Sequence, residues 1–390
     1  MRKIIFVFLL ILSIGFSCTS AIISGKITKT GRPIIWKHRD SDSERNIVIY
    51  EKTTKYKFIA IANAEDKAGS QIWMGANEKG LVIINTASYN LQNCNACNGK
   101  EDEEGLLMRY VLANCQSVPE FEKIIEKKGQ YGVYANFGLI DAQGNAAYYE
   151  YNGEKYVKYD VNDPNVAPKG YLIRTNFSFS GDTINRKGYF RYYSTEKLFD
   201  KEIKINKKLS DEFILFQADR NLVHGLTNID LSNFLVPNDT NETKYFPFRD
   251  YVPRYSTVST FLVNGVKKGE DTENMIIWVN IGNSLVTPSI PLKLNYEIPS
   301  YLTYNDKYNT SEINYLSLLL KKKLFPINYD NGSDYINLSF LINKQGNGTI
   351  QKVKEAEKKI YKLFYDNMNE DLYKNVYLIV KDFYMNYFKF

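Results

Sequence analysis

The sequence predicts a layered α+β protein in which antiparallel sheet is covered by helices. Two observations lead there. Strand-like runs come in consecutive blocks, and helical patterns come in pairs between those blocks, so the βαβ rhythm of a parallel sheet is missing. A chain of 390 residues, 44% hydrophobic and 24% charged, is also long enough to bury a sizeable core as one large domain or two modest ones.

Residues 19–24 and 32–36 read as two strands joined by a hairpin loop, which brings the first residue of one strand near the end of the other. Apolar or alternating runs at 46–50, 56–62, 71–75 and 81–85 extend the strand block, with Glu78-Lys79-Gly80 and Ala142-Gln143-Gly144-Asn145 as turns. Residues 104–115 and 118–128 carry apolar side chains at helical spacing, with Pro119 at the second start, and predict two consecutive helices on the sheet. Residues 134–140 and 146–151 predict a hairpin, and 171–175 a short strand ending at Asn176. Helical patterns return at 189–199 and 210–223, and strands at 256–263 and 275–280. Pro288, Pro291 and Pro299 then break the pattern before helical periodicity at 351–365 and 371–387. No internal repeat and no linker divides the chain. Residues 301–390 read as a C-terminal extension, packed on the same domain, that covers an edge or builds a lid.

Composition excludes several functions. The net charge of +6 is spread over 50 basic and 44 acidic residues without a long basic block, so nucleic acid is not an expected partner. With only two histidines, His38 and His224, the chain is poorly equipped for an imidazole-rich zinc centre or a Ser-His-Asp triad. Cys94, Cys97 and Cys115 suggest a disulfide among the three with one thiol left over; a zinc site would need a fourth ligand that the sequence does not provide. No metal or cofactor is expected.

Arg2-Lys3, an apolar run over residues 4–14 and then Gly15-Phe16-Ser17 read as a secretory signal peptide cleaved after Ser17. The run is about half of the ~20 residues a membrane span needs, so the mature chain is expected to be secreted or periplasmic, without stable membrane insertion. Residues 1–17 would then be the signal and 18–300 the catalytic domain. Cleavage there makes Cys18 the first mature residue, and two readings compete for it. It is either the lipid-modified cysteine of an anchored envelope protein, or a nucleophile whose own α-amine serves as base. An α-amine near ~8 and a thiol near ~8.5 exchange a proton almost isoenergetically, so the second arrangement needs no histidine.

The N-terminal Cys18-Thr19, the hairpin, Trp36-Lys37-His38-Arg39-Asp40, Gly75-Ala76-Asn77-Glu78-Lys79-Gly80-Leu81 and Thr175-Asn176 stand in an order that resembles the N-terminal nucleophile (Ntn) amidohydrolases of the choloylglycine hydrolase and penicillin V acylase group. The branch containing acyl-CoA:isopenicillin N acyltransferase is the most similar. The resemblance runs from Cys18 to about Gly282 and implies a four-layer αββα sandwich. It makes Cys18 the nucleophile and Asp40 the carboxylate that orients residue one. Lys37 or Arg39 would be the cation that lowers the thiol pKa. Asn176 would be the amide donor to the oxyanion, Arg254 the late active-site arginine and Asn85 a second polar contact to the intermediate. His38 stands where the family usually has Asn, and Arg249 lies close enough to compete with Arg254.

Taken alone, Arg39-Asp40 reads as a surface ion pair, Asn176 as a capping residue or glycan acceptor, and His224 as a helix-end or core histidine. Their order behind Cys18 is what turns them toward a site. The implied function is an exported cysteine amidohydrolase that cleaves a linear N-acyl amide, a small molecule, through a Cys18 thioester. An acyltransferase to an amine acceptor and a lipid-anchored binding protein are the alternatives.

Overall fold

The computed structural model describes residues 17–366 and 371–388; the expected leader, apart from Ser17, lies outside the described residues. Two antiparallel sheets carry the fold. The first has six strands in the order β10-β1-β2-β12-β13-β14, and the second has seven in the order β3-β4-β5-β6-β7-β8-β9. In chain order the first sheet takes β1 (Thr19–Ile23), β2 (Ile34–Asp40), β10 (Tyr171–Arg174), β12 (Thr257–Asn264), β13 (Ile276–Ile281) and β14 (Ile290–Leu292). The second takes β3 (Asn46–Lys52), β4 (Lys57–Asn63), β5 (Met74–Asn77), β6 (Val82–Ala87), β7 (Ala135–Ile140), β8 (Ala146–Tyr151) and β9 (Tyr156–Asp160). β11 (Tyr245–Pro247) and β15 (Tyr335–Asn337) form a small ribbon of their own.

Alternation along the strands decides the layers. In the seven-stranded sheet Ile59, Ile61, Val82, Ile84 and Tyr148 face the first sheet, whereas Phe58, Ala60, Ile83, Tyr149 and Tyr151 face α1 (Glu104–Asn114) and α2 (Val118–Ile125). Between the sheets β1 and β2 lie over β6, β7 and β8, and Tyr148 Oη donates to Ser20 Oγ at 2.9 Å. Gly138 of β7 has Ile22 against it where a Cβ would stand, which lets the sheets approach.

The outer face of the six-stranded sheet is covered by α3 (Tyr189–Asn206), the short α4 (Asp211–Phe213), α5 (Glu312–Leu324), α6 (Leu338–Leu341), α7 (Thr349–Asp366) and α8 (Leu372–Met385). The result is an αββα sandwich, as the resemblance implied. The described C-terminal residues complete this helical layer. α5 packs on β13, α7 on β14 and α8 on α7, with Ile313, Leu320, Val353, Ile360, Val376 and Val380 buried in the same core cluster as the sheet.

One expectation from periodicity is corrected, and one helix is added. Residues 210–223 were expected as a helix, but α4 passes into a π-helical turn at Ile214–Ala218 and the helix ends there. The reason lies just beyond: Asp219 accepts from Trp36 Nε1 at 3.0 Å and Thr260 Oγ1 at 3.0 Å, while Arg220 turns inward to pair with Glu357, so both leave the helical path. Residues 312–324 form α5, which the proline-rich stretch before it concealed. Ser311 caps this helix by accepting from Asn314 N. The disulfide joins Cys94 and Cys97, and Cys115 is buried and free, its thiol pushed up to about 11 by burial.

Candidate active site

Cys18 stands at the start of β1, between the C-terminal ends of β2 and β10, and is 5% exposed. The hairpin register pairs Thr19 with His38 and Ser20 with Lys37, so Cys18 projects from the same face as Lys37 and Arg39, toward the other sheet. Its nitrogen donates to Asn176 Oδ1 at 2.8 Å, and its Sγ lies 4.0 Å from the main-chain oxygen of Asp40.

Asn176 is oriented unambiguously. Arg191 can only donate, and its Nη2 lies 2.7 Å from Asn176 Oδ1, so the oxygen end of the carboxamide faces both Arg191 and the Cys18 nitrogen. The amide end donates to Ala87 O at 3.0 Å. In this arrangement the group that Asn176 turns toward the Cys18 nitrogen is an acceptor, whereas the expected oxyanion role calls on its amide donor. Asn136 fastens the segment from the second sheet, donating to Thr175 O and Phe177 O at 3.2 Å each.

Arg191 was not anticipated. It donates to Cys18 O and to Thr19 Oγ1, the latter at 2.8 Å, and so bridges the first two residues of β1 to Asn176. Burial, with Arg254 nearby, pushes its guanidinium down to about 9. It sits in the first turn of α3 within an aromatic run, and no local motif marks it. Gly188 is the one sequence signal: its φ is +82°, and a Cβ there would meet Arg191 Nη2.

Asp40 ends β2 and is buried, yet it does not pair with its neighbour Arg39 as a surface ion pair would. Arg254 Nε donates to Asp40 Oδ2 at 2.7 Å and Thr257 Oγ1 to Oδ1 at 2.9 Å, while His38 Nδ1 lies 3.6 Å from Oδ1. Burial alone would raise the Asp40 pKa; the Arg254 guanidinium, with help from His38 and Arg191, outweighs it and holds the carboxyl below its usual value. The contact with Cys18 runs through the main chain of Asp40, not through the carboxylate as expected. Arg249 is largely exposed and pairs with Asp334, which leaves Arg254 as the arginine at the site.

Lys37 Nζ donates to Asn85 Oδ1 and to Trp73 O, each at 2.7 Å. Asn85 is thereby tied to the site through Lys37. Burial pushes the Lys37 ammonium down to about 7. Arg39, pushed down to about 10 by burial, stays cationic at neutral pH; it donates to Asn46 and Asn63 and lies over the Trp73 ring.

A Ser-His-Asp sequence of contacts does exist here: Ser284 Oγ is 3.2 Å from His38 Nε2, whose Nδ1 faces Asp40. Its polarity is wrong for a serine nucleophile. The Ser284 hydroxyl donates to Asp219 O at 3.1 Å, so the imidazole must donate to Ser284 and cannot take its proton. His224 accepts from Leu226 N and Thr227 N in a turn, as a structural histidine does.

A family model described as acyl-coenzyme A:6-aminopenicillanic acid acyl-transferase matches residues 36–235, just over half of the chain. The chain belongs to this family. Lys37, Asp40, Asn85, Asn176 and Arg191 fall within the matched span of the acyl-transferase family, and Cys18 and Arg254 outside it. No curated protein matched the sequence. Among solved structures, the chain is similar to a Caenorhabditis elegans N-acylethanolamine-hydrolyzing acid amidase ortholog, at 13% identity over 63% of this chain and 92% of that one, with a TM-score of 0.42. It is also similar to conjugated bile acid hydrolase from Clostridium perfringens, at 17% identity over 72% and 93%, with a TM-score of 0.41. Penicillin V acylase from Agrobacterium tumefaciens matches at 14% identity over 71% and 86%, with a TM-score of 0.36.

Proposed function

We propose that this acyl-transferase family member is an N-terminal cysteine amidohydrolase that acts on a linear N-acyl amide after export and removal of residues 1–17. The observation that carries the reading is the convergence on Cys18. Asn176 accepts from its nitrogen, Arg191 holds its carbonyl, and two buried basic side chains, Lys37 and Arg39, project from the same face as its thiol.

In the proposed reaction the thiol gives its proton to the free α-amine and Sγ bonds to the substrate carbonyl carbon, whose π electrons move to oxygen. Arg39, which stays cationic at neutral pH, supplies positive potential for that oxyanion, and Lys37 adds to it in its protonated form. The carbonyl re-forms, the C–N bond breaks, and the α-ammonium returns the proton to the leaving amine. Water then adds to the thioester and restores the thiol as the acid departs. An amine acceptor in place of water would complete acyl transfer, the chemistry for which the family is named.

A cavity of about 480 Å3 is lined by Glu44, Tyr255, Lys321 and Phe325 among others, and not by Cys18 or Asp40 themselves. Tyr255 follows Arg254 in the chain, and Lys321 is close enough for its charge to feel Asp40. The volume falls within the ~300–1,000 Å3 of ordinary small-molecule sites. Burial of Cys18 also supports the nucleophile over the lipid anchor, whose thioether must reach a bilayer.

The test is the intact mass and N-terminal peptide map of the exported protein, with turnover of a panel of N-acyl amides by wild type, C18A and C18S. A chain starting at unmodified Cys18 and loss of turnover in both variants are expected. A lipid adduct, a retained Ser17 or activity surviving in C18A would overturn the proposal.

A further inference from the structure

Every side chain that meets the Asp40 carboxylate is itself held by one buried turn after β13. Asn283 Nδ2 donates to Arg254 O at 2.7 Å and to Thr257 O at 3.3 Å, the two ends of the short segment whose Arg254 and Thr257 side chains grip Asp40. The next residue, Ser284, meets His38, the third neighbour. Asn283 therefore fixes the main chain beneath the two donors to Asp40, and Ser284 meets the neighbouring His38.

The turn is anchored by the C-terminal residues that the family model does not match. Asn283 N donates to Ser317 Oγ of α5 at 3.0 Å, and Thr287 Oγ1 donates to the same oxygen at 2.6 Å. Gly282 admits Ser317 at this distance because it has no Cβ; one added there would stand 2.1 Å from Ser317 Oγ, at a φ of +149°. Arg220, paired with Glu357 of α7, donates to Ser284 O at 2.9 Å and Thr287 O at 3.0 Å. Asn283, Ser284, Thr287 and Ser317 are all buried.

We propose that Asn283 is a positioning residue for the reaction: through the 254–257 segment it sets where Arg254 and Thr257 meet Asp40, with Ser317 of α5 as its anchor. The proposal rests on the active-site reading above. Asn283 reaches no reacting atom and acts through Arg254 and Thr257.

The titratable and charged groups that face Asp40 are Arg254, His38 and Arg191, with Arg39 and Lys321 within electrostatic range. Of these Arg254 holds the carboxyl down most strongly, so slackening it raises the pH at which Asp40 takes up a proton. The experiment is a carboxyl 13C titration of Asp40 in the mature protein labelled at aspartate, assigned with D40N. It is run on wild type, N283A and S317A beside kinetics on hexanoyl-p-nitroanilide. In N283A the Asp40 midpoint is expected to rise by about half a pH unit or more, with kcat down ~10-fold or more and KM changed less than ~3-fold. S317A should move the midpoint the same way by less.

A midpoint unmoved in N283A overturns the proposal, because loss of packing alone would lower stability without touching that titration. If N283A does not fold, S317A decides by the same criterion. D40N with wild-type turnover would instead remove Asp40 from the reaction, and C18A with wild-type turnover would remove the active-site reading itself.

Discussion

Asn176 separates two ways of building this site. If its oxygen holds the Cys18 nitrogen, as the contacts with Cys18 and Arg191 require, Asn176→Asp keeps that acceptor and should retain at least ~10-fold more turnover than Asn176→Ala; an oxyanion donor would make the two equally inactive. Single-turnover kinetics of the two variants decide it. Lys37 gives a pH signature. Folding lowers its pKa from 10.5 to about 7, so between those values the unfolded chain binds the proton that the folded chain has lost, and stability rises with pH. Below about pH 7 both states are protonated and the full burial cost of the ammonium is present. Denaturant unfolding of wild type and Lys37→Met across this window should show wild type gaining on the variant, by at most ~1.4 kcal/mol per pH unit. The placing of Cys18, Lys37 and Asp40 near one another was legible because they lie on the two strands that the hairpin pairs, and Asn176 was marked by the short strand that ends before it. Arg191 was not, because a lone arginine in the first turn of a helix acquires meaning only when that helix is laid across β1.

The pair Arg220–Glu357 ties α7 to the turn beneath the site and is fully buried. Removing one partner leaves a buried charge alone, so Glu357→Leu should lower the unfolding free energy by ~3–5 kcal/mol, read from urea unfolding curves. Turnover should fall with it, since Arg220 also holds Ser284 and Thr287 in place. The strands and the paired α1 and α2 were readable from alternation and helical spacing. The premature end of α4 was not, because what stops it is tertiary: Asp219 and Arg220 find better partners in Trp36, Thr260 and Glu357 than a continued helix offers.

The C-terminal helices complete the outer layer of the six-stranded sheet. A chain ending at residue 300 would expose the surface now covered by Leu320, Val353, Ile360 and Val380, and should fail to unfold cooperatively in calorimetry and lose all turnover. The acyl-transferase family span, residues 36–235, leaves out β1, β12, β13 and β14 of that sheet as well as these helices. Arg191, Asn176 and Asp40 surround Cys18 while its nitrogen is still joined to Ser17. On the proposed processing, the α-amine that serves as base comes into being only when the Ser17–Cys18 bond is cut, so the same hydrolysis that completes export also supplies the missing catalytic group. The onset of turnover then belongs to whichever protease makes that cut.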